Sequence, residues 1–263
     1  MNDSALALPP LEADLERRFG GLRRHKRDTG YTRLRQLRVA VVGLGGVGSW
    51  AAEALARSGV AELTLIDMDH VSESNINRQV QAIGATVGQA KGLALQERFK
   101  DIHPGCRIHL VDDFVSPDNW PALLPHDIDV LIDACDQVHA KVAMAGWALA
   151  TRTPFVTVGA AGGKRKPQSV EVEDLSATTH DPLLASMRQR LRKQHGAART
   201  GKIGVRCVFS REPVTLPEAC VIEGQDVDAN LNCHGYGSVV TVTATFGLVS
   251  AAEALQCGLA DKA

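Results

Sequence analysis

Four short stretches hold residues whose types and spacing could handle a phosphorylated ligand. Gly43-Leu44-Gly45-Gly46-Val47-Gly48 is a turn in which absent side chains let backbone N–H groups approach a phosphate at the start of a helix. Asp67, 19 residues after Gly48, is spaced to accept hydrogen bonds from ribose hydroxyls. Beyond it, Asp67, Asp69, Asn75 and Arg78 follow one another in Asp67-Met68-Asp69-His70-Val71-Ser72-Glu73-Ser74-Asn75-Ile76-Asn77-Arg78-Gln79, and Val87-Gly88-Gln89-Ala90-Lys91 adds a second cation. Hydride transfer with a nicotinamide has no need of this row, whereas a triphosphate does. Arg78 can fork onto phosphate oxygens and stabilise charge as pyrophosphate departs. Asp133-Ala134-Cys135-Asp136 supplies a further carboxylate, Asp136, suited to holding Mg²⁺ on the phosphates of ATP. Taken singly, each residue has a plainer role open to it: Arg78 in a surface ion pair, Lys91 solvated on a helix, Asp136 as an N-cap.

The elements that must position these residues follow from alternating apolar patterns. Strands are expected at Arg38–Val42, Glu62–Asp67, Arg107–Val111, Asp129–Asp133 and Phe155–Val158, with helices at Val47–Ser58, Lys91–Lys100 and Lys141–Ala150 between them. Near-continuous apolar strands separated by helices read as α/β: a Rossmann-like, mostly parallel sheet with flanking helices and a C-terminal extension. In that extension, Ser169–Val172 and Val205–Phe209 are further expected strands and Pro182–Lys193 an amphipathic helix. Residues 1–15 read as a flexible tail holding at most the start of a short helix, Leu11–Phe19. Residues 16–263 read as one nucleotide-binding domain with a basic helix and loop inserted at about 180–204. Gly235–Leu255 carries one charge, Glu253, and is long enough to raise a membrane span. Its Thr, Ser and Gly content and lack of flanking Lys/Arg argue for a buried helix and no membrane insertion.

A formal net charge of −1 over 263 residues excludes a global polyanion binder, but charge is segregated. Arg17–Arg38 and Arg188–Arg206 together hold 16 of the 29 Lys and Arg residues. Such stretches are either solvated arms or a nucleic-acid surface; on the second reading Arg188, Arg190, Arg192 and Lys193 contact phosphates. Six cysteines without a Cys-x-x-Cys pair suit a reducing cytoplasm. His103, His126 and His139 show no metal-ligand spacing and read as surface or structural residues.

In combination, Gly-x-Gly-Gly-x-Gly, Asp-x-Asp-x-Val-x-x-Ser-Asn-x-Asn-Arg-Gln and Val-Gly-Gln-x-Lys resemble the ubiquitin-activating-enzyme-like adenylyltransferases of molybdopterin and thiamin biosynthesis. The resemblance implies a ligase-type reaction: a carboxylate plus ATP gives an acyl-adenylate and pyrophosphate. Asp67 would bind ribose, Arg78 and Lys91 phosphates, and Asp136 magnesium. Further features are similar to the tRNA-modifying branch of the family. They are Arg18-Phe19-Gly20-Gly21, Val111-Asp112-Asp113-Phe114-Val115, Gly159-Ala160-Ala161-Gly162-Gly163, Asp181-Pro182-Leu183, Val205–Ser210, and Cys233 followed by Gly235-Tyr236-Gly237 and Thr241–Gly247. That branch implies a tRNA carrying N6-threonylcarbamoyladenosine as substrate and a homodimer. It also implies a cysteine-desulfurase or sulfur-acceptor partner.

Leu22–Arg27 departs from the branch, which has Leu-Tyr-Gly after an arginine that reaches a partner subunit's nucleotide; Arg18 and Arg24 both remain open for that part. Cys233 is open as a thioester nucleophile or a buried small residue. Rival readings are activation of a ubiquitin-like sulfur carrier's C-terminal carboxylate, an NAD-dependent oxidoreductase, and a non-catalytic tRNA-binding module. The missing zinc cysteines weigh against the first, the lack of a hydride-transfer site against the second, and Arg78, Lys91 and Asp136 against the third.

Overall fold

All five expected central strands form, at β1 (Arg38–Val42), β2 (Glu62–Ile66), β3 (Arg107–Val111), β4 (Val130–Asp133) and β5 (Phe155–Val158). Two more, β6 (Val170–Asp174) and β7 (Arg206–Ser210), complete one sheet in the order β3-β2-β1-β4-β5-β7-β6. The structure is a computed structural model describing residues 14–215 and 236–260. Every pairing is parallel except that of β6 with β7. Strand order reverses between β1 and β4, and the crevice at the carboxyl ends of strands flanking such a reversal is where open α/β sheets bind ligands.

Seven α-helices flank the sheet among the described residues: α1 (Leu15–Phe19), α2 (Gly21–Leu34), α3 (Gly48–Arg57), α4 (Lys91–Ile102), α5 (Val138–Thr151), α6 (Pro182–Gln194) and α7 (Val240–Leu259). Alternate strand residues point to opposite faces, which explains the unbroken apolar runs. Val41, Leu65 and Ile132 meet Leu55, Phe99 and Phe246 of α3, α4 and α7, while Ala40, Ile66 and Leu131 pack on the side of α5 and α6 with Met144 and Met187. The apolar helix α7 is long enough to cross a membrane. It instead lies against α3 so closely that a Cβ on Gly247 would sit 2.8 Å from the Cβ of Trp50.

Two expectations change. The basic stretch at residues 17–38 is a docked helical arm, anchored by buried Phe19, Tyr31 and Leu34. Arg18 Nη1 donates to the carbonyls of Asp101 and Ile102, capping the C-terminus of α4, and Arg23 bridges Glu16 and Asp28 at 3.0 Å each. Likewise α6 is no appendage at 180–204, because Leu183, Leu184, Met187 and Leu191 are buried in the core. Boundaries otherwise shift by a few residues; β2 stops at Ile66, leaving Asp67 as the first residue beyond the strand.

Candidate active site

The glycine turn leaves β1 with Gly43 at φ +83°, where a Cβ would lie 2.9 Å from the Ala134 carbonyl and the Cys135 nitrogen. A side chain at Gly48 would overlap the Gly43 carbonyl oxygen. These two glycines therefore let the turn close against the end of β4. Nothing lies within 4 Å of the corresponding position at Gly45, so the turn is open there. α3 begins without a side-chain cap at Val47; Ser49 N donates to Gly45 O at 3.1 Å, and the positive end of the helix still favours an anion.

Asp67 holds the turn from the neighbouring strand. Its Oδ2 accepts from the Leu44 N–H at 2.6 Å and its Oδ1 from the Asp69 N–H at 2.8 Å; each oxygen keeps a further lone pair for a ligand hydroxyl. Burial pushes this carboxyl above the usual range, against the pull of Lys91 and the two backbone donors. Lys91 is no solvated lysine: its Nζ lies 2.6 Å from Asp69 Oδ2 and 3.7 Å from Asp67 Oδ1, with the side chain 8% exposed. Residues 69–71 run beside 88–91, with Val71 N donating to Gln89 O and Lys91 N to Asp69 O. That local pairing, turning on Gly88 at φ +88°, brings the lysine to the two acids.

Arg78 lies across the turn. A Cβ on Gly46 would meet its Cγ at 3.2 Å, and its Nη1 donates to Ser74 O at 2.6 Å and Asn77 Oδ1 at 3.0 Å. No carboxylate pairs with Arg78 among the described residues, so the ion-pair reading does not apply and its charge is free for phosphate. Asn75 Oδ1 accepts from Ser72 N at 3.1 Å, which shapes the segment carrying Arg78 and leaves Asn75 Nδ2 as its group for a ligand. Asp136 is exposed just beyond β4; Gln137, not Asp136, stands at the N-cap of α5, and the Asp136 carboxylate accepts from Gln137 Nε2 at 3.4 Å.

The structure adds residues that the sequence reading passed over. Lys141, fully buried in α5, donates to Asp133 Oδ2 at 3.0 Å and to Val158 O at 2.8 Å, while the Thr157 hydroxyl donates to Asp133 at 2.6 Å. Burial alone would lower Lys141, but the Asp133 carboxylate outweighs it and keeps the ammonium charged. A lone lysine in an otherwise apolar helix was the available signal. Asp181 caps α6 through Leu184 N at 3.0 Å and accepts from Ala160 N at 2.8 Å, tying that helix to the glycine turn at 159–163. A side chain at Gly159 would overlap the Asp181 carboxylate. Burial pushes the thiols of Cys135 and Cys207 well up, which leaves them poor nucleophiles. Cys233 lies outside the described residues.

The basic candidates divide. Arg188 Nη1 donates to Leu175 O, Thr178 O and Thr178 Oγ1, so Arg188 is a strut between α6 and the preceding turn. Arg192 donates to Ala198 O at 3.1 Å and Arg199 O at 3.3 Å, while Arg190 is half-buried and Lys193 exposed.

This geometry matches a known family, since the ThiF family model covers residues 20–262. The chain belongs to the ThiF family. That membership bears out the resemblance read from the motifs, and ThiF relatives resemble the chain almost end to end. The tRNA threonylcarbamoyladenosine dehydratase of Haemophilus influenzae is 41% identical over 243 residues, covering 91% of this chain and 92% of that one. A crystal structure of the E. coli tRNA N6-threonylcarbamoyladenosine dehydratase in complex with ATP superposes with a TM-score of 0.83 at 41% identity, covering 93% of this chain and 95% of the other. The same enzyme in complex with AMP gives 0.83 at 40% identity with the same coverage.

Proposed function

We propose that this chain is an ATP-dependent tRNA threonylcarbamoyladenosine dehydratase acting in the cytoplasm, and that the threonyl carboxylate of the modified nucleoside is the group it adenylates. The observation that carries the reading is the extent of the likeness. Identity of 41% runs over more than nine-tenths of this chain and of the dehydratase it matches, through both the nucleotide turn and the C-terminal half.

In this reading the substrate carboxylate attacks the α-phosphorus of ATP and pyrophosphate leaves. Asp67 receives the ribose hydroxyls, the glycine turn and the α3 N-terminus face the phosphates, and Arg78 and Lys91 meet the charge of the departing group. The pairing of Lys91 with Asp69 keeps the ammonium in place before ATP arrives. The acyl group is then captured by the modification's own urea, which closes a ring and releases AMP. Asp136 fits magnesium, being an exposed hard-oxygen donor at the sheet edge; a bound Mg²⁺ would neutralise phosphate charge there. Arg190, Arg192 and Lys193 serve tRNA phosphates, with Arg188 holding α6 in place. In a homodimer Arg24, exposed and without a hydrogen bond among the described residues, is better placed than Arg18 to reach a second subunit. A sulfur-acceptor partner stays an implication of the resemblance.

The test is substrate dependence. Incubated with ATP and Mg²⁺, the protein should release AMP only with tRNA that carries the modification, and mass spectrometry should show that nucleoside losing one water. AMP release driven by a ubiquitin-like sulfur carrier instead would overturn the proposal.

A further inference from the structure

At the opposite end of β2 from Asp67, the fold gathers three side chains far apart in sequence. Glu62 opens β2, His109 lies on the adjacent β3 opposite Thr64, and His126 comes from the loop before β4. Each offers one donor atom, and the three atoms lie within 4.8 Å of one another. We propose that Glu62, His109 and His126 form a binding site for a divalent transition metal, best suited to zinc.

The distances favour a metal over simple pairing. Glu62 Oε2 stands 3.4 Å from His109 Nε2 and 3.6 Å from His126 Nε2. Those separations are long for hydrogen bonds, whereas zinc bonds of about 2.0–2.1 Å set tetrahedral ligands roughly 3.3–3.4 Å apart. His109 Nε2 is buried with no hydrogen-bond partner, a costly state that a metal bond would resolve. His126 Nδ1 lies 2.8 Å from the Asp127 carbonyl. Donation there fixes the proton on Nδ1 and leaves the Nε2 lone pair facing Glu62 and the Thr64 hydroxyl, 3.4 Å away. Arg107 occupies the other carboxylate oxygen of Glu62, which leaves Oε2 for the metal.

Two imidazoles and one carboxylate form a donor set that zinc accepts, with a fourth position left for water. Side-chain exposures of 10%, 35% and 23% for Glu62, His109 and His126 place the cluster just beneath the protein surface. The cluster is roughly 16 Å from Asp67, five strand residues away, so it has no place in the adenylation chemistry. It would clasp the edge strand β3 and the 126 loop onto β2.

The full-length protein, stripped with chelator and dialysed, is titrated with ZnCl₂ and separately with CoCl₂. Bound metal per chain, the visible Co²⁺ spectrum and Tm are recorded for wild type, His109→Thr and His126→Asn. Wild type should retain one zinc per chain, show a four-coordinate Co²⁺ spectrum and gain several degrees in Tm. Each variant should bind zinc at least about 10-fold more weakly and lose the spectrum, with ATP affinity unchanged. Should one variant fail to fold, the other carries the comparison. Equal zinc affinity and an unchanged Co²⁺ spectrum in a folded variant would place the metal elsewhere, for instance on cysteines, and overturn the proposal. So would a wild type that retains no zinc.

Discussion

Arg78 carries the greatest chemical weight of any single residue in the proposed reaction, since no carboxylate pairs with it among the described residues and its side-chain stem lies against Gly46 of the glycine turn. Arg78→Ala should lower kcat by about 100-fold or more with a smaller effect on ATP affinity, the pattern of a group whose interaction strengthens as charge develops. Steady-state kinetics with AMP detection, alongside ATP titration, separate the two effects. Lys141 sets a different kind of dependence. Removing one partner of a buried pair strands the other, so Lys141→Met should cost about 3–5 kcal/mol in urea unfolding, and Asp133→Asn added to it should recover part of the loss. Arg78, Lys91 and Asp67 were legible as residue types in short local motifs, although Asp67 bonds Leu44 and Lys91 bonds Asp69 across more than 20 residues. The Asp133–Lys141–Thr157 network, like the Glu62–His109–His126 cluster, was not: each joins residues of different elements, a strand with a helix and its neighbouring strand or with a loop, and sequence spacing does not encode how those elements pack.

Among the elements, the parallel strands announced themselves, because burial on both faces demands long apolar runs. α2 did not. Its charged sequence is held by two buried anchors of its own, Tyr31 and Leu34, with Phe19 of α1 before it, too sparse to give a helical period. Within it Arg27 adopts φ 59°, ψ 171°, a conformation open to glycine and strained for other residues. Arg27→Gly should therefore raise stability by about 1 kcal/mol, the relief of strain outweighing glycine's added freedom in the unfolded chain. A rise in Tm of a few degrees would register it; a fall would show that the arginine's side chain matters more than its backbone.

For the molecule as a whole, a near-neutral charge conceals a basic face formed by α6 and the loop after it. Replacing Arg190, Arg192 and Lys193 with glutamine should weaken tRNA binding and flatten the dependence of log K on log salt by about 0.7–0.9 for each phosphate no longer neutralised. ATP affinity should not move, because the proposed nucleotide site lies at the carboxyl ends of the strands, at Asp67 and the glycine turn, and includes none of these three residues. Arg188 is excluded from this set, since its loss would unseat α6 and confuse folding with binding. The joining of that face to a nucleotide site gives the molecule its proposed reaction, in which an oxygen of the substrate acid becomes bonded to the α-phosphorus of ATP. The direct measurement uses modified tRNA whose threonyl carboxylate carries heavy oxygen, followed by mass spectrometry of the released nucleotide. One heavy oxygen in AMP, matched by one dehydrated nucleoside, is the expected result; heavy oxygen in inorganic phosphate with ADP as product would contradict it.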